Sequence, residues 1–324
     1  MASRKLIKVA AIIAFLYCTL LVYQGGVANF QETRVQVQEL TIEPVTKTNI
    51  NDSDVTKNIT LDDLFISVKT TKNYEKTRLP IILKTWFQLA KEQTWFFTDG
   101  ENPVIQNQTN GHMVNTKCSA SHSRNALCCK MAVEYDHYIE SNKKWFCHFD
   151  DDNYVNVPRL VEVLQRYDDK EDWYLGRTSV YKPVRIYHRT KKIQKLKYSF
   201  WFGTGGAGVC LSRSLALKML PVASGGRFIS FCDSVRFPDD VSLGYLIENI
   251  MHINLTVIPE FHSHLEQMKL LDTEKFKEQV SFGYSRVKNE WNVVNVPGFD
   301  TLYDPTRFLS LHCFLFPHFK FCPR

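Results

Sequence analysis

Trp145-Phe146-Cys147-His148-Phe149-Asp150-Asp151-Asp152-Asn153-Tyr154-Val155 is the stretch on which the reading of this chain turns. Its first five residues are mostly aromatic or apolar, the pattern of a short buried strand. The strand runs straight into three adjacent carboxylates. Three like charges in sequence repel one another, and a bound cation would relieve that repulsion. Carboxylate oxygens suit magnesium or manganese. A solvated acidic turn is the plainer alternative. Against it, the aromatic strand before the cluster and the return to apolar residues after it anchor the three aspartates. A calcium loop of the EF-hand kind fails, because no Gly and no distal Glu fall at the required spacing.

Outward from this point, strands and helices alternate. Leu64-Phe65-Ile66-Ser67-Val68 reads as a buried strand ahead of Lys69-Thr70-Thr71, and Thr94-Trp95-Phe96-Phe97 as the next, ended by Thr98-Asp99-Gly100. Residues 78–89, 123–141 and 158–167 carry helical patterns, and 173–176 reads as a further strand. Such alternation predicts an α/β fold with a mainly parallel sheet flanked by helices. Ligands of such sheets bind beyond the carboxyl ends of the strands, where the acidic cluster sits. Residues 182–197 form a basic loop or hairpin, read as a solvated face rather than a docking surface for an acidic partner.

Three other motifs bear on chemistry. Phe237-Pro238-Asp239-Asp240 precedes a helix predicted over 241–250. One of the two aspartates caps that helix, which leaves the other free for general-base work. Phe261-His262-Ser263-His264 ends an apolar segment at 253–258. If extended, His262 and His264 point the same way, and imidazole is a good manganese or zinc ligand. A purely structural histidine pair has equal weight. Gly203, Gly205 and Gly208 form a G-x-G-x-x-G after the strand-like 198–202. Its use for a dinucleotide is discounted, because it lies late in the core and the next acid, Asp233, comes 25 residues after Gly208. Gly205 and Gly206 read better as a place where backbone approaches a bulky ligand such as a sugar, with an ordinary tight turn as the alternative.

The 324 residues are 44% hydrophobic and 13% aromatic, which excludes a mainly disordered chain, collagen and coiled coil and leaves room for one large domain or two. The formal charge of +6 overstates the basic character. Arg4, Lys5 and Lys8 account for three of the 40 Lys and Arg, leaving 37 basic against 34 acidic residues, so no nucleic-acid partner is expected. Those three residues precede an uncharged stretch at 9–30 whose first part, 9–23, is strongly apolar. This reads as a signal-anchor, with 1–8 cytosolic and the rest across the membrane. A signal peptide cut after Ala28 is the alternative, and both place the body in the secretory pathway. Residues 31–60 read as a flexible polar stem, and the body at 61–324 begins near Leu61.

Two features agree with a lumenal body. Sequons occur at Asn51, Asn58, Asn107 and Asn254. Apart from Cys18 in the apolar segment, the cysteines are Cys118, Cys128, Cys129, Cys147, Cys210, Cys232, Cys313 and Cys322. An even number suggests a disulfide framework, and without any C-x-x-C pair zinc is poorly supported.

Together these pieces resemble the Fringe glycosyltransferases, more their invertebrate members. The resemblance is carried in order by Phe65-Ile66-Ser67-Val68-Lys69-Thr70-Thr71, the long acidic stretch, Thr204-Gly205-Gly206-Ala207-Gly208, Phe237-Pro238-Asp239-Asp240, Phe261-His262-Ser263-His264-Leu265 and Ser310-Leu311-His312-Cys313. It implies a GT-A-type fold in a single-pass type II protein of the Golgi membrane. It also implies an O-fucosylpeptide 3-β-N-acetylglucosaminyltransferase that modulates Notch signalling. Such an enzyme moves N-acetylglucosamine from UDP-GlcNAc, with inversion and with manganese, onto O-linked fucose of EGF-like repeats in Notch-type receptors. Carried onto this chain, the resemblance makes Asp240 the catalytic base and Asp152 and His264 the metal ligands. It makes Asp151 and Arg78 donor contacts, with Thr70 near the nucleotide. It pairs Cys118 with Cys129, Cys147 with Cys210, and Cys313 with Cys322. Cys128 and Cys232 fall outside that set and either pair with each other or remain buried thiols. Gly203 stands where the family pattern leads one to expect Ala, which bears on donor-side packing. The alternatives are a related β1,3-galactosyl- or N-acetylglucosaminyltransferase with another acceptor, or an inactive lumenal chaperone on the same fold. The Phe-Trp-Phe stretch at 200–202 and the Cys313/Cys322 segment favour Fringe.

Overall fold

The computed structural model describes residues 59–189 and 194–323. The expected cytosolic tail and anchor, most of the expected stem and the sequons Asn51 and Asn58 lie outside the described residues. Among the described residues no helix is long and apolar enough to cross a membrane. The packed body takes in Ile59, two residues ahead of Leu61; Ile59 is buried in the core and its carbonyl accepts a bond from Gln165.

The chain begins with β1 (Leu64–Lys69), α1 (Leu79–Lys84), β2 (Thr94–Thr98), α2 (Pro103–Gln108) and β3 (Met113–Asn115). It continues with α3 (Arg124–Ser141), β4 (Trp145–Asp150), β5 (Asn153–Val155), α4 (Val157–Leu164) and β6 (Tyr174–Gly176). A hairpin of β7 (Val184–Arg189) and β8 (Gln194–Phe200) bears out the reading of the basic stretch. Then come β9 (Val209–Ser212), α5 (Arg213–Ala223), α6 (Arg227–Val235), α7 (Asp239–Gly244) and β10 (Leu255–Val257). Two short ladders use β11 (Ser281–Gly283), β12 (Ser285–Val287) and β13 (Glu290–Asn292), and α8 (Phe308–Leu315) closes the fold.

Seven strands form one sheet in the order β10-β6-β9-β4-β1-β2-β3. Only β9 runs antiparallel to its neighbours. From β1 the chain steps one way to β2 and β3, while β4 lies on the other side, so β1 and β4 flank the point where the strand order reverses. Crevices of this kind hold ligands, because neighbouring connections leave the sheet on opposite faces there. β1 and β4 pair in register from Leu64 opposite Trp145 to Lys69 opposite Asp150.

Alternation along these two strands builds the two cores. Leu64, Ile66, Val68, Cys147 and Phe149 face one layer, packed with residues of α1, α4 and α8. Phe65 and Phe146 face the other, packed with α3, α5 and α6. The same face continues as Ser67 and Lys69 on β1 and as His148 and Asp150 on β4. It therefore changes from apolar to charged as it nears the carboxyl ends.

Two helical readings and the reading of one apolar segment are corrected. Residues 78–89 split at Thr85 into α1 and a 3-10 turn at Trp86–Leu89; the Thr85 hydroxyl donates to the Ile81 carbonyl. The helix expected at 241–250 starts earlier, at Asp239, and winds as a π-helix over Tyr245–Ile250. Its N-cap is Pro238, so neither Asp239 nor Asp240 caps it, and both stand in its first turn, where negative charge suits the helix dipole. The segment at 253–258 forms only the three-residue β10.

Disulfides join Cys118 to Cys129, Cys147 to Cys210 and Cys313 to Cys322, as the resemblance implied. Cys128 and Cys232 also pair, tying α3 to α6. That link spans 104 residues, and long closed loops are the ones whose unfolded chain a cross-link restricts most. Two measurements test it. The denatured, unreduced body should titrate no free thiol. Replacing Cys128 and Cys232 together by Ala should lower stability by about 2–4 kcal/mol while leaving the fold intact.

Candidate active site

Beyond the carboxyl ends of β1 and β4 lies a cleft of about 890 Å³. Its lining includes Thr70, Arg78, Asp151, Asp152, Asp240 and His264, all six site residues read from the sequence. A smaller hollow of about 550 Å³ shares Tyr74, Arg78, Asp152 and His264 and adds Tyr284 and Trp291.

The acidic turn is rigidly framed. The Asn153 side-chain carbonyl accepts from the Asp150 N–H at 3.1 Å, and its amide donates to the Gly206 carbonyl at 2.8 Å. One side chain thus fixes the turn to the glycine loop. Asp151 accepts from the Thr70 hydroxyl at 2.7 Å and from the Arg78 guanidinium. Arg78 lies over the Tyr74 ring, 3.8 Å from its centroid, and reaches Asp152 at 3.4 Å. Lys130 donates to the Thr70 carbonyl at 2.7 Å and also pairs with Asp99, which fixes the end of β1 from the side of α3.

Asp152 is differently placed. Among the described residues its Oδ1 is buried with no hydrogen-bond partner, as is Nδ1 of His264, which lies 3.7 Å from Asp152 Oδ2. Burial, then the adjacent Asp150 charge, lifts the Asp152 carboxyl to about 8. Burial pushes the His264 imidazole down, toward the neutral form that a metal requires. An unpartnered buried oxygen and an unpartnered buried imidazole nitrogen on one wall make a donor set that fits manganese. Gly206 makes room for it, since a Cβ there would sit 3.2 Å from the His264 ring.

His262 does not join His264. It is buried between Glu266, 3.1 Å from Nδ1, and Gln279, 2.9 Å from Nε2. The chain turns at His264 and Leu265, where the Glu266 N–H bonds the Ser263 carbonyl, and the two rings go to different surroundings. His262 thereby has the structural role that stood as its alternative. The glycine motif is structural as well. Gly208 has φ +95°, where L side chains are strained, and a Cβ there would strike the Phe149 ring. An alanine at Gly203 would place its Cβ 2.6 Å from Val209, so the glycine fits its own neighbours, and its N–H donates to the Tyr174 hydroxyl. Gly205 and Gly206 do line the cleft, but side chains there would press on His148 and His264. Ser310-Leu311-His312-Cys313 lies in α8, where His312 Nδ1 bonds the buried Tyr154 hydroxyl at 2.7 Å.

The second acidic motif separates its two members. Asp239 Oδ2 accepts from Lys69 Nζ at 2.7 Å. Among the described residues Asp240 has no cationic partner within salt-bridge reach and accepts only from the N–H of Val241. Burial, then the charge of Asp239, raises its carboxyl to about 6. Sequence reading missed Lys69, Asn153 and Gly283; a Cβ at Gly283 would lie 2.5 Å from the His264 backbone nitrogen. Of the two remaining sequons, Asn107 and Asn254 are both exposed.

Asp152 and His264, whose unpartnered atoms could hold a metal, and the half-buried Asp240 stand on the walls of one cleft at the reversal point of an α/β sheet, an arrangement suited to a substrate with an anionic leaving group. Comparison with known proteins makes this specific. A family model described as Fringe-like matches residues 59–319, and the chain belongs to the Fringe family. It is 60% identical to the Fringe glycosyltransferase of Drosophila melanogaster over 264 residues, which cover 81% of this chain and 64% of that protein, just under two thirds of its length. It is 45% identical to the β1,3-N-acetylglucosaminyltransferase lunatic fringe of Danio rerio, covering 84% of this chain and 73% of that one. It is 47% identical to lunatic fringe of Homo sapiens, covering 81% and 69%. A solved glycosyltransferase involved in glycosylating the major capsid of PBCV-1 superposes at a TM-score of 0.38 with 11% identity, covering 76% of this chain and 98% of that one, too loose a likeness to bear on the site.

If Asp152 and His264 hold a divalent ion, Gly206→Val, by pressing on the His264 ring, should weaken binding of that ion by about tenfold. A metal titration followed by calorimetry checks this, with unchanged metal dependence as the contrary result.

Proposed function

We propose that this protein is an inverting β1,3-N-acetylglucosaminyltransferase of GT-A type, anchored as a type II protein in the Golgi membrane. It acts on UDP-GlcNAc and on O-linked fucose of EGF-like repeats in Notch-type receptors, and so modulates Notch signalling. The observation that carries the reading is that Asp152 and His264, with their unpartnered buried atoms, and the unpaired Asp240 line one cleft. Membership of a family whose relatives are named β1,3-N-acetylglucosaminyltransferases supports the donor and linkage.

The chain's own residues divide the work. Arg78, Asp151 and Thr70 hold the nucleotide, with Tyr74, Tyr284 and Trp291 offering aromatic faces nearby. Asp152 and His264 would hold manganese, which would stabilise the charge that gathers on the departing diphosphate. Asp240 accepts the proton of the fucose hydroxyl as that oxygen attacks the anomeric carbon. The new C–O bond forms as the bond to the diphosphate breaks, and the bonding pair leaves with UDP. A single displacement of this kind inverts the anomeric carbon.

Asp240 must be ionised to accept that proton. Its carboxyl titrates near 6 when folded, so turnover should be full above that value and fall as pH drops through it. Asp240→Asn should abolish transfer to a fucosylated repeat yet keep UDP binding. Asp152→Ala should weaken metal-dependent UDP binding. Turnover retained in Asp240→Asn would remove the base assignment, and no transfer from UDP-GlcNAc with manganese would remove the reading as a whole.

A further inference from the structure

Lys69 ends β1 directly opposite Asp150 at the end of β4. Its ammonium lies 3.1 Å from Asp150 Oδ1 and 2.7 Å from Asp239 Oδ2. It is the one cation among the described residues that joins the acidic turn to the helix carrying Asp240. The side chain is 11% exposed, so water does little to screen it. Behind it runs a buried polar chain. His148 Nε2 lies 3.4 Å from Lys69 Nζ, His148 Nδ1 meets Glu134 Oε2 at 2.6 Å, and the Ser67 hydroxyl donates to the same Glu134 oxygen at 2.7 Å. The ammonium of this β1 residue is therefore held by β4 and α7, with α3 reaching it through His148.

We propose that Lys69 is a positioning residue for the transfer reaction: by clamping Asp150 and Asp239 together it fixes the base-bearing first turn of α7 relative to the acidic turn and keeps the neighbouring Asp240 ionised. The inference rests on Asp240 being the base. Lys69 touches no reacting atom in this arrangement. It acts through Asp239, whose side chain it holds, so that the next residue in the same turn faces the cleft. Its positive charge also favours the ionised form of that residue's carboxylate.

The groups that face Asp240 set the direction of the test. Lys69 from β1 favours its ionised form, while Asp239 from its own turn and Asp150 from β4 oppose it. The Tyr174 hydroxyl of β6 is neutral, its pKa driven upward by burial and, to a lesser degree, by Asp240 itself. Arg124 and Lys130 of α3 line the same cleft, as does His122 just before that helix. Removing the Lys69 charge should make Asp240 harder to ionise, and removing the Asp239 charge should make it easier.

The experiment compares Lys69→Met, Lys69→Arg, Asp239→Asn and Asp240→Asn in the full lumenal protein. It measures transfer to a fucosylated repeat across pH and UDP binding with manganese. Lys69→Met should bind UDP within about threefold of the parent and lose about tenfold or more in kcat. The acid limb of its pH profile should move up by about half a unit or more. Asp239→Asn should move that limb down, and Lys69→Arg should restore it close to the parent position. A merely structural role for Lys69 would not produce opposite displacements in the two variants. Limbs that stay in place, or that move in the same direction, overturn the proposal, as does a Lys69→Met loss confined to KM. If Lys69→Met does not fold, Asp239→Asn and Lys69→Arg decide the matter by the same criteria. Turnover in Asp240→Asn would instead defeat the base assignment itself, which separates the two failures.

Discussion

Five carboxylates converge where β4 and α7 meet the cleft, and the site depends on how their mutual repulsion is resolved. At 4 Å and an effective dielectric near 20, two unit charges interact by about 4 kcal/mol. Five of them cannot all remain ionised and unpaired. Two cations are present at their centre, and they are distributed unequally. Lys69 takes Asp150 and Asp239, and Arg78 takes Asp151 with a longer reach to Asp152. Asp152 and Asp240 are left with the least compensation, and these are the two whose carboxyls are lifted furthest into the near-neutral range. One is fitted to a divalent ion and the other to a proton.

The strand register produces this allocation. β1 and β4 are parallel and in step, so Ser67 lies opposite His148 and Lys69 opposite Asp150. The alternation that buries Phe65 and Phe146 against α3 sends these polar residues onto the same face, one step nearer the cleft. Glu134, a buried residue of α3, then meets both Ser67 and His148. Against the burial that would lower it, Glu134 raises the His148 imidazole to about 9. The charged floor of the cleft is thus continuous with the secondary structure beneath it. Buried ion pairs of this kind add little net stability, because desolvation offsets most of their attraction. Breaking one partner is costly by comparison, about 3–5 kcal/mol, since the other is stranded. The apolar layers hold the fold together, and the ionic floor specifies where the carboxylates point.

Much of this was legible in the sequence, and the remainder was not for definite reasons. The strands around Ile66, Phe96 and Phe149 announce themselves by composition, and the aspartate trio by its position after one of them. Lys69 gave no such signal. A single lysine after an apolar strand looks like a strand terminator, and only the pairing with β4 turns it into a clamp. His262 and His264 misled because alternation applies to extended chain, and the chain turns at His264 and Leu265. Cys128 and Cys232 stayed open because connectivity does not follow from spacing. The importance of Gly283 comes from the His264 backbone packing against it from 19 residues earlier in the chain, a contact no local pattern encodes.

Asp239 and Asp240 show how little separates a structural carboxylate from a reactive one. They are adjacent, share a helical turn and have the same chemistry. Successive helical residues point about 100° apart, so a turn that aims one at the ammonium under the sheet must aim the other elsewhere. Asp239 is 3% exposed and its Oδ2 is committed to Lys69. Asp240 lines the cleft with only the Val241 N–H as donor. Had the helix begun two residues later, as the sequence suggested, Asp240 would have been the cap and its oxygen would have bonded backbone N–H groups. The cap falls on Pro238 instead, which offers no side-chain acceptor, and both carboxylates are released for other partners. The position of the helix start, more than the identity of either residue, leaves one acid in this pair free to take up a proton.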